Sequence, residues 1–347
     1  MSNDNDNLLN KHLLRQCATT HTGYNWVSNS CYLDTVLWVL FSSYSSFVDN
    51  KILFSRLNTE KLHRIASCGE GLNDLNEKVF QEFQMCFRKA AYYFRCGMGS
   101  KDCSPFRRLY KKYFNITQCT NFHSKARFHL GEQQEAQEFL QFIFSLYGMN
   151  GQENYGAVSK QEFYYGVSKT PRTETLWKFI YDRRDKTPSI IWNVSFQTLR
   201  NMTSHERTMK NFLQHQDDIW NISKQHKNCH FNAIRTVHSL IKFADLLIFS
   251  LERVNPTQQT ISHFRVHLNP TLIDKKGKTL HLTGIICHHG NSPDSGHYTA
   301  FNYSTKEHKW YYYDDMNLPI QKIGSWENMK SIRHIFTHCV LVFYTKL

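Results

Sequence analysis

The sequence predicts an α+β protein, helical in its first part and rich in β-strands in its second. Before residue 148, apolar residues recur at intervals of three and four, the spacing of one helix face. Beyond it, short runs of β-branched and aromatic residues alternate with turn residues, the pattern of strands in a sheet. A cysteine also stands where a polar loop meets the first apolar helix, and a Gly-His pair opens a strand far downstream.

Taken in order, residues 1–20 read as a polar tail. Met1 to Asn10 is rich in Asn and Asp and lacks a basic segment leading into an apolar run, so no secretory leader is expected. Leu33, Val36, Leu37, Leu40 and Phe41 then fall at helical spacing, which starts a helix at or near Cys31. A second helical pattern runs from Leu75 through Val79, Phe83 and Phe87 to Phe94, and a third from Ala136 through Phe139, Leu140, Ile143 and Phe144 to Tyr147. From Gly148 to about Val167 the chain is polar and reads as a surface connection. Strands are expected at Ile190 to Phe196, Leu246 to Leu251, Thr279 to Cys287, His297 to Tyr303, Trp310 to Tyr313 and Cys339 to Tyr344. Residues 21–346 thus read as one domain, with a helical part over 21–147 and a β-rich part over 148–346.

Composition narrows the chemistry. The 347 residues can bury a sizeable core, and charged or polar clusters interrupt each apolar stretch well before membrane-spanning length. The net charge is +13, but Lys and Arg are dispersed and often sit beside Asp or Glu. A basic surface is expected rather than a dedicated nucleic-acid site. Ten cysteines with no C-x-x-C pair read as reduced thiols of an intracellular chain, in cytoplasm or nucleus. No metal, no cofactor and no membrane partner is expected, and the chain reads as a monomer.

Two stretches carry reactive residues. In Gly23-Tyr-Asn-Trp-Val-Ser-Asn-Ser-Cys31-Tyr-Leu-Asp, the cysteine lies at a helix N-terminus, where the dipole and a nearby imidazole favour a thiolate. A small buried residue is the plainer reading of any single cysteine. In His288-His-Gly-Asn-Ser-Pro-Asp-Ser-Gly296-His297-Tyr298, the histidine opens one strand, and Trp310-Tyr-Tyr-Tyr-Asp314-Asp315 closes the next. Antiparallel pairing of those strands places Asp314 beside His297, in the orienting position of a nucleophile, base and acid triad.

These stretches resemble the cysteine and histidine boxes of the ubiquitin-specific proteases. Glu132-Gln-Gln-Glu-Ala-Gln-Glu-Phe-Leu140 resembles the family's Gln box, and Leu246-Leu-Ile-Phe-Ser-Leu-Glu-Arg253 its Leu-x-Arg strand, so four motifs stand in family order. The cysteine box is most similar to those of cylindromatosis-type and large-DNA-virus members. The resemblance implies a papain-like fold shaped as an open hand, with a helical thumb and β-sheet palm and fingers. It also implies a deubiquitinating cysteine protease acting on ubiquitin chains and ubiquitinated proteins. Cys31 is then the nucleophile, His297 the base and Asp314 the orienting acid, while Glu135, Glu138, Arg253 and Tyr298 bind the ubiquitin tail and His288 supports the site.

Two departures stand out. The family's usual oxyanion-hole Asn or Gln falls at Trp26, leaving the Trp26 indole or Asn25 or Asn29 with the Cys31 backbone N–H as candidate donors, while the resemblance implies that Asp315 stands behind the triad. Loss of one such donor costs on the order of 10²-fold in rate. The alternative reading is therefore a catalytically weak or inactive ubiquitin-binding module. The family's zinc ribbon is also absent, since residues 148–245 hold only Cys229, and aromatic packing by Trp177, Phe179, Trp192, Phe196 and Trp220 is expected in its place.

Overall fold

The computed structural model describes residues 11–16, 22–55, 77–113, 135–147, 149, 158–167, 177–213, 216–226, 229–240, 244–274 and 276–347. The helical part comprises α1 (Lys11–Gln16), α2 (Cys31–Phe41), α3 (Glu77–Cys96), α4 (Ser104–Tyr113) and α5 (Ala136–Leu146). α2 is its axis. Each residue of α2 is buried, because α3 and α5 pack on one side and the strands that follow pack on the other. Burial of each large apolar side chain there contributes about 1.5–3 kcal/mol. Phe83 and Phe87 of α3, Phe106 of α4 and Phe139 and Phe142 of α5 form an aromatic cluster beside it, with centroids 5.3–6.4 Å apart. Part of the expected tail is ordered helix: α1 sends Leu14 into the core, and Lys306 Nζ donates to Gln16 O at its end.

The strands are β1 (Val158–Val167), β2 (Trp177–Ser189), β3 (Ile191–Val194), β4 (Gln216–His226), β5 (Cys229–Leu240), β6 (Leu246–Leu251), β7 (Thr271–Ile273), β8 (Thr279–Ser292), β9 (Ser295–Ser304), β10 (Lys309–Tyr313), β11 (Gln321–Gly324) and β12 (Cys339–Thr345). Eight form one sheet in the order β11-β10-β9-β8-β12-β6-β3, with β7 on β8. β1, β2, β4 and β5 form a separate antiparallel sheet in the order β2-β1-β5-β4. The predicted surface connection to Val167 is therefore corrected, since its second half is β1, paired on both sides. Backbone pairing, not hydrophobic alternation, defines that strand. Of the aromatics proposed to replace a zinc ribbon, Trp192 and Phe196 are buried, and the side chains of Trp177, Phe179 and Trp220 lie outside the described residues.

The large sheet has a core on each face. Ile248, Ile286 and Phe343 face α2 and the helices, while Leu247, Ile285 and Val342 face a second cluster closed by Ile335 and Phe336 of α6 (Arg333–His338). α2 approaches β8 closely at Gly284, where a Cβ would lie 2.5 Å from Val39 Cγ1. This contact brings the N-terminus of α2 to the β8–β10 end of the sheet.

Candidate active site

Residues 22–30 run to the first turn of α2 and are held from three directions. Trp26 N–H donates to Asp315 O at 3.1 Å, and Asn25 N–H to Lys101 O at 2.8 Å. Arg107 of α4 donates to the carbonyls of Val27 at 2.7 Å and Ser28 at 3.1 Å. Ser28 and Asn29 adopt positive φ of 45° and 57°, a local cost of about 1–3 kcal/mol each for residues other than glycine. Those anchors keep the chain folded back so that Cys31 begins the helix.

The Cys31 thiol is buried and accepts hydrogen bonds from the backbone N–H groups of Tyr298 and Tyr32. Tyr298 follows His297, so the thiol lies against the start of β9. Burial, reinforced by the charges of Asp315 and Asp34 and opposed by the Tyr298 N–H, pushes the thiol up to about 12. Burial here works against the helix dipole that favours a thiolate. A thiol held this high needs a base before it can act as a nucleophile.

β9 and β10 pair with Ala300 opposite Tyr313, which carries Asp314 past the sheet edge toward His297. His297 Nε2 lies 2.8 Å from Asp314 Oδ1 and 3.6 Å from Asp315 Oδ1. Asp314 is also held by Met316 N–H at 3.0 Å and the Asn317 amide at 2.8 Å. Burial raises its carboxyl, but the Asn317 and His297 hydrogen bonds win and the net shift is downward, so Asp314 is an anion. An ionised carboxylate only accepts, so Nε2 carries the imidazole proton and Nδ1 is left to act as a base. His297, Asp314 and Asp315 are the one His, Cys and carboxylate group among the described residues whose polar atoms lie within 4.8 Å of one another. The hydrogen bonding of His297 accounts for that closeness.

A cleft of about 490 Å³ runs from this corner between α5, β6 and the β8–β9 turn, lined by Glu135, Glu138, Glu252, His288 and Tyr298. Glu135 reaches solvent at its mouth, while partial desolvation by the walls pushes its carboxyl above the usual range. Arg253 also borders the cleft, but as a structural staple. Its guanidinium donates to the carbonyls of Cys339 at 2.6 Å and Phe264 at 2.8 Å, so this residue expected at the ubiquitin tail is engaged within the fold. Trp26 is 42% exposed and Asn25 is exposed, so both are fixed through their backbones rather than their side chains. Sequence reasoning missed Asn317 and Arg107, whose roles depend on partners distant in the chain or on a local turn.

His288 is buried against Tyr298, with ring centroids 4.7 Å apart. Gly296, at φ +148°, leaves room for it: a Cβ there would lie 2.5 Å from His288 Nε2. Gly296→Ala is expected to displace the His288 ring and the adjoining His297, lowering kcat/KM by roughly 10²-fold in steady-state assays.

Behind His288 lies a group of imidazoles, with His289 5.1 Å from His334 and 5.2 Å from His338 by ring centroid. Burial, helped by the neighbouring histidines, lowers His288 and His289 to about 4. The unfolded chain takes up these protons near the ordinary value of 6.5. Stability is therefore full above about pH 6.5 and falls as pH drops toward 4. Allowing for solvent screening at half-buried His289, the expected loss between pH 7 and 5 is about 2 kcal/mol. Thermal melts at the two pH values check this, and His289→Gln is expected to flatten the dependence.

The profile of the family described as ubiquitin carboxyl-terminal hydrolase matches residues 22–331. The chain belongs to that family. It is also 34% identical over 104 residues to ubiquitin carboxyl-terminal hydrolase 3 of Saccharomyces cerevisiae, a match covering 29% of this chain and 10% of that relative's length. Among solved structures, it resembles the SAGA DUB module Ubp8/Sgf11/Sus1/Sgf73 bound to monoubiquitin, with a TM-score of 0.55 at 16% identity, over 98% of this chain and 74% of that one. The same module bound to ubiquitin aldehyde matches with a TM-score of 0.54 at 15% identity, over 96% and 70% of the two chains. The α+β, papain-like open-hand fold expected for a ubiquitin carboxyl-terminal hydrolase is thus the fold of this chain.

Proposed function

We infer that this chain is a thiol-dependent deubiquitinase, hydrolysing the isopeptide or peptide bond at the C-terminal glycine of ubiquitin. The single observation that carries the reading is the His297–Asp314 pair, 2.8 Å apart, at the strand start whose Tyr298 N–H bonds the Cys31 thiol. His297 Nδ1 takes the thiol proton as Sγ attacks the glycine carbonyl carbon. The resulting oxyanion forms against the Cys31 N–H at the start of α2, with Asn29 the nearest side-chain amide along the chain. Collapse expels the amine, which leaves with the proton from His297, and water then hydrolyses the thioester by the same relay. Asp314 keeps the imidazole in the required tautomer and stabilises the imidazolium.

The acidic cleft of Glu135, Glu138 and Glu252 suits the basic C-terminal tail of ubiquitin. Residues 21–147 act as thumb and 148–346 as fingers and palm of a single catalytic domain. The Asn-Ser-Cys31-Tyr-Leu-Asp box supports a placement near the cylindromatosis-type and large-DNA-virus members. A second reading, ubiquitin binding with little turnover, is favoured by Trp26, which stands where the family has an oxyanion donor.

Turnover of di-ubiquitins by wild type and Trp26→Asn separates the two readings. Hydrolysis by the wild type supports the protease. Binding without hydrolysis, with activity gained in Trp26→Asn by on the order of 10²-fold, supports the binding module.

A further inference from the structure

Two carboxyl groups that the triad leaves unexplained meet beneath the thiol. Asp34 projects from the first turn of α2, and Asp315 follows Asp314; both are buried, at 0% and 4% exposure, and their side chains are in hydrogen-bonding contact. A carboxylate can only accept hydrogen bonds. Asp34 Oδ2 receives the Ser30 hydroxyl at 2.5 Å and the Cys103 thiol also hydrogen-bonds Asp34, whereas neither Asp315 oxygen meets a donor among the described residues. His297 Nε2, 3.6 Å from Asp315 Oδ1, is already engaged by Asp314.

Two buried anions in contact repel strongly, and neither oxygen of Asp315 has a donor among the described residues. One proton between them removes a charge and supplies the hydrogen bond. The other titratable groups facing Asp34 are Tyr24, Cys31, Tyr32 and Cys103. Tyr313 faces both carboxyls, and Asp314 and His297 face Asp315. Among these groups only His297 can be cationic. Burial, then the Asp315 charge, holds the Asp34 carboxyl well above the carboxylate range, while His297 pulls against the burial that raises Asp315. The imidazole 3.6 Å from Asp315 favours the charge there, and against the Ser30 and Cys103 donors on Asp34 this leaves the proton on Asp34.

Resting on the deubiquitinase reading for its catalytic consequence, the geometry points to Asp34 as a neutral acid that donates to the Asp315 carboxylate, a shared-proton clamp tying the Cys31 helix to the His297–Asp314 strand pair. The clamp reaches both sides of the site. Asp34 holds Ser30, whose hydroxyl oxygen also accepts Val27 N–H at 3.0 Å, and Asp315 O receives Trp26 N–H. Asp34 and Asp315 are therefore positioning residues: they set where the thiol stands relative to the imidazole and touch no reacting atom.

The test compares Asp34→Asn, whose amide N–H replaces the acid proton, with Asp34→Ala, which removes it. With ubiquitin carrying a fluorogenic C-terminal amide, Asp34→Ala is expected to lower kcat by roughly tenfold or more with KM little changed, and Asp34→Asn to recover it to within about threefold of wild type. The infrared spectrum of the wild type at neutral pH is expected to show the carbonyl band of a buried carboxylic acid, absent from Asp34→Asn. Two results overturn the clamp: an Asp34→Asn variant that folds but loses as much kcat as Asp34→Ala, or no acid band in the wild type. The infrared readout needs no turnover, so failure to hydrolyse ubiquitin sinks the deubiquitinase reading while the acid band still decides the clamp. If Asp34→Ala does not fold, Asp34→Asn and the infrared band decide it alone.

Discussion

Cys31→Ala is expected to fold and to bind ubiquitin while losing turnover by on the order of 10⁶-fold, and to form no adduct with a ubiquitin bearing a C-terminal electrophile. The fold places this thiol against the start of β9, through the Tyr298 N–H. Burial pushes that thiol up to about 12, so in the proposed mechanism His297 takes its proton. Asp314→Asn then ranks next. An amide offers its N–H as readily as its carbonyl, which disfavours the tautomer that leaves Nδ1 as base, and the expected loss is on the order of 10⁴-fold. Intact-mass analysis of the adduct and steady-state kinetics check both. An adduct on Cys31→Ala would remove Cys31 from the nucleophile's role.

Asp49→Ala is expected to destabilise the chain by about 3–5 kcal/mol, because it strands the Arg95 guanidinium in the core. Both side chains are fully buried, and the pair is bidentate at 2.9 and 3.0 Å. Arg95 also donates to the carbonyls of Phe41 at 2.8 Å and Ser43 at 2.9 Å, which satisfies the C-terminal end of α2. The pair therefore fixes the far end of the helix whose near end carries Cys31. Removing both charges, as in Asp49→Leu with Arg95→Met, is expected to recover part of the loss, since no uncompensated ion remains. Chemical denaturation of the single and double variants measures this; a loss below about 1 kcal/mol in Asp49→Ala would show that water reaches Arg95.

The helices were legible where their apolar stripes were strong. α2, α3 and α5 follow the spacing of Leu33 to Phe41, Leu75 to Phe94 and Ala136 to Tyr147 within a few residues, Leu75 itself lying outside the described residues. α4 was not foreseen, because Phe106 and Tyr110 are its sole fully buried side chains and the rest is basic and polar. Six of the eight strands of the large sheet were read through their β-branched and aromatic runs, with β7 and β11 missed, whereas β1, β2, β4 and β5 are polar and form two neighbouring pairs joined by the long-range β1–β5 pairing. At the site, Asp314 was placed by strand register, which pattern can anticipate. Asp34 carried a weaker signal, a lone acid in the otherwise apolar run Cys31 to Phe41, and its burial against Asp315 required the folded chain.

By itself, the sequence determined the α+β class, the chain order of helices and sheet, and the short list of residues able to do acyl-transfer chemistry. These follow from local periodicity and residue type, which act over a few neighbours. Only the tertiary structure decided the state of those residues. Whether the Cys31 thiol is ionised, whether Arg253 is free to meet a ligand and whether Asp34 keeps its proton each depend on desolvation and on partners 80 or more residues away, which no local pattern contains.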